Sequence, residues 1–227
     1  MNTKRKATES QRRKRRAIGR PSSTSAGVGR DVILAKTCEL LQELAPAKVT
    51  RAEVARYANV DPSLIRYYFQ DRSSLLIAAA GRLAQEFFSR LDKAEENIDG
   101  SAAELLRTRV HTLFDFIVEH PFFHRLLIDE ITPLNSQAAK RMLEDFVQRT
   151  VAGHGALLAA GAREGELQEV NTVLLLFTVI GGCEFFTAAV PLLKIAAGRK
   201  IDEKVARREY RDFICDLMLY GVATRPR

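Results

Sequence analysis

A helical spacing of apolar residues runs almost without interruption from Asp31 to the end of the chain. In "DVILAKTCELLQELA" at 31–45, apolar residues recur every three or four positions, which is the spacing of a helix with one buried face. No sustained alternation of apolar and polar residues is present, so no strand is predicted. The 227 residues are enough for a sizeable core. The sequence therefore predicts an all-α fold of about nine helices.

Cap and break residues divide this helical sequence into segments. Pro46, Pro133 and Gly165 stop helices, and Asp99-Gly100-Ser101 breaks the chain. The predicted helices span 31–45, 51–58, 62–69, 71–96, 102–119, 121–131, 136–164, 171–196 and 202–221.

The positive charge is concentrated at the N-terminus. Residues 1–30 contain ten Lys and Arg and one acid, a net charge of +9; since the whole chain carries +7, the remaining residues sum to −2. Few apolar residues accompany these charges, so 1–30 is predicted to be a disordered basic arm. Such an arm would strengthen binding to any DNA by releasing counterions. Gly19-Arg20-Pro21 resembles an AT-hook core, and Arg20 is a candidate for minor-groove insertion; a plain electrostatic tether is the alternative.

Two short helices, 51–58 and 62–69, form the most informative pattern. Asparagine at position 59 suits the positive φ that the turn between them requires. In "DPSLIRYYF", Asp61 caps a helix that is too short to be stable alone. Ile65 and Phe69, four residues apart, would bury one side of it. This is a helix-turn-helix pattern, whose second helix enters a DNA major groove.

The opposite side of the second helix is left for DNA. Pro62, Ser63, Arg66 and Tyr67 are assigned to bases and backbone, and Tyr68 to a phosphate. Arg72 lies in the first turn of the next helix, where a cation is unfavourable unless a phosphate binds there.

The stretch "TRAEVARYANVDPSLIRYYFQDRSSLL" resembles the signature of the TetR (tetracycline-repressor) family. The shared features are a Thr opening helix 2, Val54-Ala55 in place of an Ile-Ala pair, a turn at 58–61, a helix ending in Tyr67-Tyr68-Phe69 and a helix start at 71–75. Leu64 stands where a small polar residue is frequent in the family, and a leucine near the groove would contact thymine methyls rather than hydrogen-bonding base edges. The candidate DNA-binding residues are Arg20, Thr50, Arg51, Pro62, Ser63, Leu64, Arg66, Tyr67, Tyr68 and Arg72.

The resemblance also implies an organisation and a function. A helix-turn-helix domain at 31–77 would precede a ligand-binding and dimerisation domain at 78–222. A small-molecule effector would bind between helices of the second domain, and the last two helices, 171–196 and 202–221, would pair with a second copy. The resemblance implies a repressor that binds double-stranded DNA as a homodimer. A TetR-fold protein without a small-molecule ligand, acting by architecture or protein contact, is the alternative.

Polar residues in apolar surroundings, together with aromatic residues, are the candidates for a ligand site. Core packing is the competing interpretation for each aromatic ring. The candidates are His111, Phe114, Phe146, His154, Phe177, Glu184 and Phe185.

Other functions find little support in the sequence. No catalytic motif is present, so neither an enzyme nor a cofactor is predicted. His120 and His124 are four residues apart but lack further ligands, so no metal site is predicted. The apolar stretch 173–193 could span a membrane by length, but Glu184 near its centre argues for a buried helix instead. An unrelated all-α interaction or membrane-associated protein is a further alternative. With no secretory signal at the N-terminus, a cytoplasmic location is expected.

Overall fold

The computed structural model describes residues 23–96, 98–196 and 202–222. These residues form nine α-helices and contain no β-strand, as predicted. The helices are α1 (Ser23–Glu43), α2 (Arg51–Tyr57), α3 (Pro62–Tyr68), α4 (Arg72–Glu95), α5 (Ala102–Glu119), α6 (Phe123–Arg125), α7 (Gln137–Arg163), α8 (Thr172–Ala196) and α9 (Glu203–Val222).

Seven of these helices begin and end within one residue of the predicted bounds. The first helix differs, because α1 already begins at Ser23, eight residues before Asp31. Its first turns are rich in Ser, Thr and Gly, so they have no apolar period by which sequence could identify them. The predicted arm at 1–30 is therefore helical from residue 23, and residues 1–22 lie outside the described part of the chain.

The predicted segment 121–131 also differs from the structure. Only Phe123–Arg125 is α-helical; Leu126–Ile131 forms a π-helix, followed by a 3-10 turn at Thr132–Leu134. The π-helix is fixed in the core, because its side chains Leu126, Leu127 and Ile131 are buried. The spacing of apolar residues does not reveal such a turn, since a single π-turn shifts the α-helical period only over a few residues.

Side-chain caps set the starts of the short helices. Thr50 Oγ1 accepts a hydrogen bond from the Glu53 amide at 3.1 Å, and Asp61 Oδ1 accepts one from the Ser63 amide at 2.7 Å. Asn59 has φ 52°, which confirms the left-handed turn between α2 and α3. The positions of both helices are thus fixed by local chemistry.

Helix α4 joins the N-terminal part of the chain to the rest. Its buried stripe includes Leu75, Leu76, Leu83 and Phe87, and it packs against α1 at one end and against α5 and α7 further along. The ring centroid of Phe116, in α5, lies 5.3 Å from that of Phe87 in α4. We call residues 23–71 the head and the described residues from 98 to 222 the body, with α4 between them.

Helix α9 runs antiparallel to α5 and packs against α8. Arg107 pairs with Asp216 at 2.9 Å, while Asp115, further along α5, lies 3.4 Å from Arg211. Tyr210 Oη donates to the Gly182 carbonyl of α8 at 2.9 Å. A Cβ atom at position 182 would lie 3.1 Å from that hydroxyl oxygen, so glycine permits this close approach.

Candidate nucleic-acid interface

Helix α3 is held from behind by two apolar side chains. Ile65 and Phe69 are 0% and 2% exposed and belong to the same core cluster as α1 and α4. The Phe69 amide closes the helix by donating to the Ile65 carbonyl at 2.8 Å. A seven-residue helix is unstable alone, so this burial supplies the stability that its backbone lacks.

The opposite face of α3 is open to solvent. Pro62, Ser63 and Arg66 are exposed, and the Tyr67 side chain is 62% exposed. Leu64 differs from these, because it is half-buried and packs against the core. Of the candidates on α3, four thus share one accessible surface.

Tyr68 also lies partly inside the protein. Its ring meets that of Tyr67 edge-on, with centroids 5.0 Å apart, and its hydroxyl approaches α1. A Cβ atom at position 29 would be 2.9 Å from that hydroxyl oxygen, so Gly29 makes room for it. Arg30 of the same helix lies over the Phe69 ring at 5.2 Å.

An open cleft of about 340 Å³ lies beside this face, where the N-termini of α2 and α3 meet. It is lined by Thr50, Arg51, Ala52, Pro62, Arg66 and Arg72. The Thr50 hydroxyl and the guanidinium groups of Arg51 and Arg66 give this cleft hydrogen-bond donors and positive charge, which suit phosphate oxygens. Arg51 also donates to the Gln70 carbonyl at 2.9 Å, which fixes its position at the edge of the cleft.

Arg72, the candidate for a phosphate at the start of α4, makes hydrogen bonds within the protein. Its Nε donates to the Val49 carbonyl at 2.8 Å, and its Nη2 donates to the Pro46 carbonyl at 2.6 Å. The remaining nitrogen, Nη1, lies 2.7 Å from Glu130 Oε2 in the π-helix. All three guanidinium nitrogens therefore have partners within the protein, which gives Arg72 a structural role; its contact with a phosphate stays a prediction. Arg20 lies outside the described residues.

Sequence reasoning missed Glu130 altogether. It is separated from Arg72 by 58 positions, and nothing in its neighbourhood marks it as special. Only the unusual cation in the first turn of α4 indicated that an anionic partner was needed there.

The ligand candidates do not form one pocket. Phe114 is 1% exposed and packs near Tyr210, with ring centroids 6.1 Å apart. Phe146 is half-buried against another part of the same core, with its ring centroid 5.5 Å from that of Phe123. Both rings therefore pack in the core or against it, as the competing interpretation expects.

Two polar candidates have partners on neighbouring helices. Glu184 Oε1 lies 2.7 Å from Nδ1 of His124, which links α8 to α6. His111 Nε2 is 3.5 Å from Asp212 Oδ1, and this nitrogen makes no hydrogen bond to another described residue. Burial lowers the pKa of His111, and the neighbouring Arg211 guanidinium lowers it further.

His154 lies at a small internal cavity. Its Nδ1–H donates to the Thr150 carbonyl at 2.8 Å, since a carbonyl can only accept, and Nε2 is then the free acceptor of a neutral ring. Burial lowers the pKa of His154, which favours that neutral form. The cavity has a volume of about 10 Å³ and is lined by Leu106, Arg109, Val110, Leu113, His154, Leu175, Leu176, Val179 and Met218.

Phe177 and Phe185 are predicted to line a ligand pocket, and the structure places them elsewhere. Their side chains are 74% and 71% exposed on the outer face of α8. Helix α8 is apolar around its circumference, so its sequence does not indicate which side is buried.

An apolar surface extends over α8 and α9. Of the fourteen exposed large apolar side chains in the described residues, ten lie on these two helices: Val173, Leu174, Phe177, Phe185, Leu192, Ile195, Val205, Phe213, Leu217 and Tyr220. We call this set the α8–α9 face. Helix α8 is also long and apolar enough to cross a membrane by length and composition, with 28% of its most apolar window buried. An exposed apolar surface of this extent is typical of a protein interface.

A helix-turn-helix head followed by a helical body defines the class of two-part, all-α transcription regulators. Residues 97–226, which are 130 of the 227, match the family model described as the tetracyclin repressor-like C-terminal domain. The chain therefore belongs to the TetR family of regulators. No curated protein matches the sequence.

Solved structures share the fold at low sequence identity. A regulatory protein of the tetR family from Rhodococcus RHA1 has a TM-score of 0.67 at 16% identity, covering 87% of this chain and 98% of its own. A transcriptional regulator from Saccharomonospora viridis in complex with choline has a TM-score of 0.66 at 15% identity, covering 88% and 100%. The regulator FadR from Bacillus subtilis in complex with stearoyl-CoA has a TM-score of 0.60 at 16% identity, covering 84% and 98%.

Proposed function

We propose that this protein is a ligand-responsive repressor that binds a pseudo-palindromic operator as a homodimer. A small, largely apolar molecule would bind the body and release the DNA. We also propose a cytoplasmic location, because the regulator must reach the DNA.

The observation that carries the DNA-binding part is the two-sided character of α3. Ile65 and Phe69 are buried, while Ser63, Arg66 and Tyr67 project from the same short helix into solvent. Arginine can bind guanine O6 and N7 with two hydrogen bonds, and aromatic or apolar groups contact thymine methyls. The adjoining cleft supplies Thr50 and Arg51 for the backbone phosphates.

The α8–α9 face supports a homodimer. Two copies joined through it by a twofold axis would present two α3 helices, and the operator would then carry two related half-sites. A second copy would also remove ten exposed apolar side chains from water.

Release by a ligand would be a shift between two arrangements of the body. Helix α4 contacts both parts of the chain, so a change in its angle would change the spacing of the two heads. Such a ligand changes DNA affinity only by its differential affinity for the two arrangements, typically ~1–3 kcal/mol. The apolar lining around His154 favours a largely apolar molecule, and the two relatives solved with choline and with stearoyl-CoA support a small-molecule ligand.

A DNA-binding regulator without a small-molecule ligand is the second candidate. The cavity at His154 measures about 10 Å³, which is about the space of one water molecule. An effector at His154 would therefore have to open the bundle, whereas a ligand-free regulator needs no such change.

Selection of duplexes from a random library by the purified protein tests the DNA-binding part. We expect an enriched inverted repeat bound by two chains, and recovery of unrelated sequences would contradict the proposal. Thermal unfolding against a panel of apolar metabolites separates the two candidates. A stabilising compound that also weakens operator binding supports the sensor, and an exhaustive negative result supports the second candidate.

A further inference from the structure

We infer that Arg72 and Glu130 form a clamp that holds the head at a fixed angle on the body and so positions α3 for sequence-specific DNA binding. The two residues act through α3 without touching the bases, which makes them positioning residues. The inference rests on the proposed DNA-binding function and adds a named connection between the head and the body.

The first part of the clamp closes the helix-turn-helix unit on itself. Pro46 and Val49 come just before α2, and Arg72 comes just after α3. The two carbonyls accept hydrogen bonds from Arg72 Nη2 at 2.6 Å and from Nε at 2.8 Å. The Arg72 guanidinium thus connects the end of the α2–α3 unit to its start.

The second part of the clamp attaches that unit to the body. Arg72 Nη1 lies 2.7 Å from Glu130 Oε2, and the Glu130 side chain is only 16% exposed. Glu130 belongs to the π-helix, whose Leu126 and Ile131 are both 0% exposed. Because its backbone is fixed in the core, Glu130 is a rigid attachment point.

A second polar contact between the head and the rest of the chain is longer. Gln42 Nε2 of α1 lies 3.5 Å from His120 Nδ1, and His120 Nε2 lies 3.4 Å from Glu86 Oε1 of α4. Both distances exceed the usual range for a hydrogen bond. The shorter, charge-assisted bonds of Arg72 therefore hold the head more firmly.

Partial burial gives the Arg72–Glu130 pair its importance. Side-chain exposures of 32% and 16% exclude much of the solvent that weakens a surface ion pair. Removing one partner would leave the other charged and poorly solvated. The head would then sample several angles, and only a fraction of the molecules would fit the operator at any time.

The experiment compares Glu130→Gln with Asp129→Asn in the full chain. Both variants remove one carboxylate from the same π-helix, but Asp129 is 51% exposed and pairs with Arg125 at 3.3 Å, away from Arg72. The probes are a duplex selected by the wild-type protein and a scrambled duplex of equal length, each titrated over a range of salt concentrations. Thermal unfolding of each variant checks that it is folded.

The clamp predicts that Glu130→Gln lowers affinity for the selected duplex on the order of tenfold, with an unchanged salt slope and unchanged binding to the scrambled duplex. Asp129→Asn should bind both duplexes like the wild type. Electrostatics alone predicts the opposite sign, because a lost carboxylate near DNA raises affinity for every sequence. A rise in affinity, or no change, for Glu130→Gln overturns the inference.

The variant Arg72→Gln gives an independent check. If the two residues act as one clamp, Arg72→Gln and the double variant Arg72→Gln, Glu130→Gln should have similar affinities for the selected duplex. If Arg72 instead contacts a phosphate, Arg72→Gln weakens binding to both duplexes and reduces the salt slope by about 0.9, which contradicts the clamp. Should Arg72→Gln fail to fold, Glu130→Gln decides alone, since it leaves the bonds to Pro46 and Val49 intact. A wild-type protein that selects no duplex refutes the proposed function itself.

Discussion

Replacing Tyr67 by alanine should remove sequence preference while leaving the fold intact. The side chain is 62% exposed, so little apolar burial is lost. The contact that the variant loses within the protein is the edge-on packing against Tyr68 at 5.0 Å. Aromatic pairs contribute ~0.5–1.5 kcal/mol, which corresponds to a decrease in Tm of about 1–6 °C for a chain of this size.

The effect on DNA binding should be larger. One good base contact contributes ~1–3 kcal/mol of discrimination, so we expect affinity for the selected duplex to fall about 5- to 150-fold. Because tyrosine is uncharged, affinity for a scrambled duplex and the salt slope should stay the same. Tyr67→Phe separates the ring from its hydroxyl: retained affinity assigns the contact to the ring.

Fluorescence anisotropy with both duplexes, over a range of salt concentrations, measures these quantities. An equal loss of affinity for both duplexes would mean that Tyr67 contributes to general binding and not to base recognition. Wild-type affinity for the selected duplex would remove Tyr67 from the interface and refute the assignment of the exposed face of α3.

Four further outcomes follow from the structure and the sequence. Ile65→Ala should reduce the free energy of unfolding by ~2–5 kcal/mol, because the side chain is fully buried; Ile128→Ala, 63% exposed, should change it by less than about 0.5 kcal/mol, and equal effects in chemical denaturation would contradict the packing. Phe177→Arg should shift the protein from dimer to monomer in sedimentation, while Val147→Arg, at a 52% exposed position on α7, should not. Deleting residues 1–20, which carry nine Lys and Arg and one Glu, a net charge of +8, should weaken binding to all DNA and flatten its salt dependence; an unchanged slope would show that the arm does not contact DNA. Burial lowers the pKa of His120 and His154, so the unfolded chain takes up more protons than the folded chain as the pH falls. The contribution of the two neutral histidines to the free energy of unfolding should be fully present above about pH 6.5 and decrease below it. The Tm of His154→Gln should therefore fall less between about pH 7 and 5 than that of the wild type.

Local chemistry made the head predictable. The caps at Asp61 and Asp71, the left-handed Asn59 and the four-residue spacing of Ile65 and Phe69 all act within a few residues of where they stand. Each of these features has a direct counterpart in the structure. This is why the order and bounds of most helices could be predicted from the sequence.

The features that sequence reasoning missed depend on distant residues. The partners of Arg72 are 23, 26 and 58 positions away, and no local pattern reports them. The sequence places Phe177 and Phe185 in the interior of the bundle, because an evenly apolar helix gives no indication of its buried side. The ligand candidates follow from residue type alone, and the structure distributes them over separate contacts. Where a ligand binds stays a prediction.

The measurement that bears most directly on the proposed function is the number of chains on one operator and the symmetry of that operator. Sedimentation of the protein with a duplex selected from random DNA, combined with a footprint of both strands, gives both quantities. We expect two chains on an inverted repeat, with matching protection of two half-sites on one side of the double helix. One chain on an asymmetric site, or uniform binding to every duplex, would contradict the proposed function.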